Sequence, residues 1–432
     1  MSETWRGLVL RFHFYAGVLV GPFVLIAALT GVLYAATPQL ESWLYSNQLR
    51  VPESTSSVPL SEQVKAAVAA RPGDTLAAIR PAPGPGDTTR VLFTSDGDAR
   101  PTVFVNPADG TVVGELMTYG TSGVLPLRTT IDQIHRNLML GEPGRLYSEL
   151  AASWLWVVAL GGVFLWFSRR RAQRTKPTTR RHATIGLSVL VGALFLSATG
   201  LTWSAYAGEN VAAVRQALNW TTPALEGGGD HAGHDMSDPI PVSPGEVDSV
   251  LATARRAGID SGLIEIVAPP MAGMPWNVSE IDRSWPTQVD AVAVSGGEVL
   301  DEVRFADYPV AAKLARWGID AHMGVLFGWP NQLVLLALGL GLVALVVLGY
   351  RIWWLRRPTR GFGRPVPRGQ WRKPPRAQLV AVLVVAAAVG WFVPLFGLSL
   401  LAFLVVDLVL AARARRRKDT EPSPSESSPV AG

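Results

Sequence analysis

The amino-acid sequence predicts an α-helical membrane protein with α+β external domains. It reads as two tandem repeats of helix–domain–helix plus a C-terminal helical hairpin, six membrane helices in all. Three observations carry this. Almost half of the 432 residues are apolar, 15 are Trp, and the mean hydropathy is positive. Several apolar runs reach the ~20 residues a helix needs to cross a bilayer, yet they leave two long polar segments that must fold outside lipid. One run also occurs twice: FHFYAGVLVGPFVLIAALTG at 12–31 and RHATIGLSVLVGALFLSATG at 181–200.

Residues 1–36 form the first membrane helix, with Arg6 and Arg11 ahead of the apolar run. The run is too long for a secretory h-region, and its copy lies where no signal sequence could be. Residues 37–146 are the first external domain. Helix is predicted at 61–70 and strand at 75–79 and 90–94. A hairpin follows at 102–116, with Pro-Ala-Asp-Gly at its turn. A helix carrying His135 covers 127–140 and breaks at Gly141 and Pro143.

Residues 147–167 are the second span, 168–182 a basic cytoplasmic loop, and 183–206 the third span. The second external domain, 207–330, repeats the order: helix 245–257, strands 263–267 and 276–281, hairpin 290–303. The fourth span is 331–355 and a second basic loop is 356–376. Residues 377–412 are too long for one crossing and contain Gly390 and Pro394, so they read as a hairpin of two helices. The tail, 413–432, is basic, then rich in Ser, Pro and Glu, and reads as disordered.

Charge sets the orientation. The N-terminus, the two basic loops and the head of the tail hold 22 of the 39 Lys and Arg residues. By the positive-inside rule both termini are cytoplasmic and both large domains external. The location is a bacterial-type plasma membrane, crossed several times. The net charge of +5 is thus topological and does not indicate nucleic acid. With no Cys, disulfides, thiolate chemistry, iron–sulfur clusters and c-type haem attachment are excluded.

The repeat aligns His13/His182, Gly17/Gly186, Thr30/Thr199 and Gly31/Gly200 at an offset of 169. It aligns His135/His322, Gly141/Gly328, Pro143/Pro330, Gly162/Gly349, Trp166/Trp353 and Arg169/Arg356 at 187. Both copies point the same way, so they form a parallel repeat. Its pseudo-two-fold axis would bring His13 toward His182 at the cytoplasmic level and His135 toward His322 at the external level.

Imidazole is a good axial ligand for haem iron, and two on opposite faces make a b-type centre suited to electron transfer. Gly17 and Gly186, one turn from their histidines, leave room for a flat macrocycle. Two such b-type haems across ~30 Å of hydrocarbon form an electron path. The plainer alternative makes each histidine an interfacial or capping residue and each glycine a helix-packing residue. Asp407 reads as a helix-end partner of Arg413. Within the insertion-like stretch 226–236, Asp230, His231, His234, Asp235 and Met236 offer ligands suited to Cu or Zn; the alternative is a solvated loop.

The stretches RFHFYAGVLVGPFVLIAALTGVLY, IHRNLMLGEPGRLYSELAASWLWVVALGGVFLWFSRRR, RRHATIGLSVLVGALFLSATGLTWS and FADYPVAAKLARWGIDAHMGVLFGWPNQ resemble the PepSY-associated transmembrane family over about 5–357. The external units resemble PepSY domains, VFVNPADGTVVGEL most clearly, although the second copy has Ser295-Gly-Gly297 in place of the Asp-Gly turn. The resemblance implies haem ligation by His13, His135, His182 and His322. It also implies kinship with ferric-siderophore reductases and iron-uptake-associated proteins.

The leading expectation is transmembrane electron transfer to an external ferric chelate or metal ion. No flavin or nicotinamide motif is visible, so the donor is a separate protein or a quinol. Two further readings stay open: a non-catalytic PepSY protein that binds an external peptidase or assembly partner, and a copper or iron uptake accessory using the 226–236 loop.

Overall fold

The computed structural model describes residues 2–97, 99–120, 123–169, 176–225, 244–271, 273–356 and 370–420. In chain order the helices are α1 (Ser2–Ala35), α2 (Thr37–Leu44), α3 (Ser46–Leu49), α4 (Leu60–Ala70), α5 (Pro126–Asn137), α6 (Arg145–Arg169), α7 (Pro177–Ser188), α8 (Leu190–Leu201), α9 (Tyr206–Ala217), α10 (Val247–Arg256), α11 (Val310–His322), α12 (Trp329–Arg356), α13 (Arg376–Phe392) and α14 (Pro394–Thr420). The strands are β1 (Leu76–Arg80), β2 (Thr89–Phe93), β3 (Ala99–Val105), β4 (Val112–Tyr119), β5 (Ile264–Val267), β6 (Trp276–Glu280), β7 (Ala291–Ser295) and β8 (Glu298–Val303). Among the described residues, α1, α6, α12 and α14 are each long and apolar enough to cross a membrane. The helices α7 and α8 qualify as one broken span, and α13 is a shorter apolar helix.

Contacts divide the chain into two units. One comprises residues 1–25, 145–212 and 341–432, the other 26–144 and 213–340.

In the first unit, α6 packs on α8 and α14, and α13 on α14. Its buried cluster includes Ala16, Val20, Trp154, Ala207, Val393 and Phe396. Residues 183–206, expected to be one straight helix, are instead bent by 58° at Val189. The Ser188 hydroxyl donates back to the Thr184 carbonyl at 3.0 Å, a bond that bends helices. Val189 turns onto α12, where a Cβ on Gly341 would lie 2.6 Å from Val189 Cγ1.

The short helix α9 was not expected from sequence. It is held by buried Glu149, whose two carboxylate oxygens accept the backbone N–H groups of Tyr206 and Ala207, each at 3.0 Å. A carboxylate at a helix N-terminus satisfies orphan donors and the helix dipole together. The expected hairpin is present, its helices separated at Val393 just before Pro394. The tail is not disordered from 413. Instead α14 runs to Thr420, because an Ala/Arg/Lys run favours continuing helix. Asp407 does not pair with Arg413 as expected; it forms an ion pair with Arg11 of α1.

In the second unit, the strands of both long polar segments form one eight-stranded antiparallel sheet, ordered β4-β3-β2-β1-β5-β6-β7-β8. The two four-stranded halves meet through β1 and β5, with Ile79 opposite Ile266. Alternate residues face one core: Leu76, Val91, Phe93, Val103 and Val105 from one half; Ile264, Ile266, Trp276, Val278, Val292 and Val294 from the other. Period-2 burial follows from the strand geometry. The helices α4 and α10 cover this face with Leu60, Val64, Val247 and Val250. Across the seam the Arg80 Nε donates to Glu265 Oε2 at 2.5 Å, and the Ser61 hydroxyl donates to Asp248 at 2.5 Å.

Ile79 is fully buried, so Ile79→Ala removes packing on both sides of the seam. The expected cost is about 3 kcal/mol, read as a lowered thermal midpoint of the full chain in detergent.

Candidate functional site

The first unit contains a cavity of about 710 Å³, lined almost entirely by apolar side chains from α1, α6, α7, α8 and α12. Two imidazoles line it, His13 and His182. Their ring centres are 6.3 Å apart and their planes cross at 86°. Two imidazoles holding one metal ion from opposite sides, each nitrogen about 2.0 Å from it, stand with ring centres roughly 6 Å apart. The spacing therefore suits shared ligation.

Each ring is positioned by backbone. The His13 Nδ1 lies 3.0 Å from the Val158 carbonyl oxygen. A carbonyl can only accept, so Nδ1 carries the proton and Nε2 keeps its lone pair. His182 faces the carbonyl of Leu345, which is Val158 plus the repeat offset of 187. The His182 Nδ1 is buried without an aligned hydrogen-bond partner; a small turn of the ring toward the Leu345 carbonyl would pair it and leave Nε2 free to ligate, as in His13.

Glycines stand beside the rings as well as along the cavity wall. A Cβ on Gly162 would lie 3.2 Å from His13 Cε1, and one on Gly349 would lie 3.7 Å from His182 Cε1. Gly17 lines the cavity and a Cβ there would meet nothing within 4 Å; one on Gly186 would meet Leu345 at 3.6 Å. So Gly17 and Gly186 border open space, while Gly162 and Gly349 touch the imidazoles. The repeat alignment already paired Gly162 with Gly349, and that was the signal available.

The second unit holds the other two histidines. His135 lies in the last turn of α5, which ends at Asn137 because Leu138 and Met139 adopt left-handed conformations. Its Nδ1 is 2.9 Å from the Thr30 hydroxyl oxygen. That hydroxyl donates to the Ile26 carbonyl at 2.8 Å, so it accepts from His135 and again leaves Nε2 unprotonated. A Cβ on Gly31 would sit 3.4 Å from His135 Cε1, in van der Waals contact with the ring. His322 ends α11. Burial holds both imidazoles below their ordinary pKa, His322 at about 3 with the charge of nearby His135 adding to the effect. Both are therefore neutral at pH 7, the state that can ligate a metal.

These residues fit haem. The cavity is apolar and carries an imidazole pair at a suitable spacing. Among the described residues no group of three or more His, Asp or Glu side chains gathers as a metal cluster. Two-imidazole ligation of a porphyrin iron needs none. The proposed Cu or Zn ligands Asp230, His231, His234, Asp235 and Met236 lie outside the described residues.

The model of one protein family, described as PepSY-associated TM region, matches residues 10–356. The match takes in all four paired histidines. No curated protein matches the chain.

Proposed function

The chain belongs to the PepSY-associated transmembrane family, and from that premise we propose that it is a di-haem b electron-transfer protein of the plasma membrane. It crosses the membrane six times as two parallel repeats and a hairpin, with both termini cytoplasmic. His13 with His182, and His135 with His322, hold one haem each. Haem so bound supplies one-electron exchange at iron.

The chain's own residues do the rest. Val158 and Thr30 fix the ring tautomers, Gly162 and Gly31 admit the rings, and the apolar wall keeps water away. The substrate is an external ferric chelate, such as a ferric siderophore, or another oxidised metal ion. The electrons come from a separate protein or a quinol on the cytoplasmic side.

The observation that carries this reading is the 6.3 Å His13–His182 pair on a cavity of about 710 Å³. The test is the optical spectrum of the full-length protein from haem-replete cells. The expected result is a dithionite-reducible b-type α-band, with two haems per chain by pyridine haemochrome assay. A chain without that band is not a haem protein, and partner binding by the external domain would then become the better reading.

A further inference from the structure

The cavity that carries His13 and His182 is not apolar throughout. At the ends of α7 and α12 nearest the basic loops it is lined by Arg180, Arg356 and Thr179, and among the described residues no carboxylate lines it. The Arg356 guanidinium donates to the Thr179 hydroxyl at 2.9 Å, which fixes one cation at this rim. Arg180 is exposed in the first turn of α7, and among the described residues no carboxylate pairs with it. Two cations unbalanced by acid, at the edge of an apolar slot, suit a ligand with an apolar body and carboxylates at one end.

The repeat makes this more specific. Arg180 is the counterpart of Arg11 at the offset of 169. Arg11 is buried, does not line the cavity, and is engaged by Asp407 of α14. The hairpin has no second copy, so it neutralises one arginine of the pair and leaves the other. The cavity therefore has a cationic side formed by Arg180 and Arg356.

We infer that Arg180 and Arg356 are the anchors for the two propionates of the porphyrin held between His13 and His182, so that the macrocycle enters with its carboxylates toward the basic loops. This rests on the haem reading proposed above. It goes further by assigning orientation, and a preference for the free diacid, to two named side chains.

The test uses full-length protein made in haem-depleted cells and titrated with haemin or with haemin dimethyl ester, which keeps the iron and ring but lacks the charges. Each exposed pair is worth about threefold in affinity, so two together make about a tenfold preference. One of the two equivalents bound by the wild-type chain is expected to prefer haemin over the ester by about that factor. The preference should vanish in Arg180→Gln/Arg356→Gln and persist in Arg180→Lys/Arg356→Lys, which keeps the charges. A second equivalent unaffected by either double variant serves as the internal folding control. Equal binding of haemin and ester by the wild-type chain, or a preference surviving the Gln variant, overturns the inference while leaving the haem reading intact. If neither compound binds the wild-type chain, the haem reading itself falls, and this inference with it.

Discussion

On the di-haem reading, replacing His13 with Ala is expected to cut the dithionite-reducible absorbance of the full-length protein by about half, since one of the two proposed sites would lose an imidazole and residues acting as a unit fail together. The His13 Nδ1–H donates to the Val158 carbonyl oxygen at 3.0 Å. That bond orients the ring and leaves Nε2 as the only nitrogen with a lone pair to give. Alanine removes the donor atom, and among the described residues no other imidazole, carboxylate or thioether lines the cavity apart from His182. His182→Ala should therefore give the same loss, and the double variant no more than either single. Thr30→Val, which removes the hydroxyl 2.9 Å from the His135 Nδ1, should weaken retention at the other proposed site by up to about 10-fold, the low end of the range for outer-shell changes. All variants are compared by haemochrome assay per folded chain. An unchanged spectrum in His13→Ala/His182→Ala would mean that the pair serves packing and that haem, if bound, lies elsewhere.

Much of this arrangement was legible in sequence because its signals are local. Hydropathy runs place the long helices, and the strand patterns place β1, β2, β5, β6 and the β7–β8 hairpin to within one residue and the outer ends of the β3–β4 hairpin to within three. Pro394 marks the hairpin break. The histidine pairing was legible only through duplication: the identical internal spacing of 13-17-30-31 and 182-186-199-200 points to equivalent positions.

What stayed hidden depends on contacts across the chain. Nothing in the sequence of β1 or β5 says that these two strands pair, since an interior strand in each of two sheets looks the same as the seam of one. The bend at Val189 comes from a Ser188 back-bond and from Gly341, more than a hundred residues away. The glycines that meet the rings were not singled out, for a similar reason. Gly17 and Gly186 share a helix with their histidines, and one-turn spacing drew attention to them. Gly162 and Gly349 reach the rings from facing helices, α6 and α12.

The pairing of Arg11 with Asp407 was the clearest miss, because helix-end geometry favoured a local partner for Asp407 and the actual one is 396 residues away. It also has the largest expected consequence for stability. The Arg11 side chain is only 6% exposed and Asp407 26%, and the guanidinium lies 5.0 Å from the Tyr15 ring. Removing one partner of a buried pair leaves an uncompensated charge that must be desolvated alone.

Asp407→Asn is accordingly expected to destabilise the full chain by about 3 kcal/mol. That value is at the low end for buried pairs because Asp407 is partly exposed. Arg11→Met should cost less, since the remaining carboxylate keeps some access to solvent. The double variant Arg11→Met/Asp407→Leu should recover most of the loss, because an apolar pair of similar volume removes both desolvation penalties at once. Thermal unfolding of the four chains in one detergent closes the cycle, with a coupling of 1 kcal/mol or more expected for groups in direct contact. Simple additivity would show that the two side chains act independently, and α14 would then be held to α1 by apolar packing such as that between Phe12 and Phe403, whose ring centres are 5.5 Å apart.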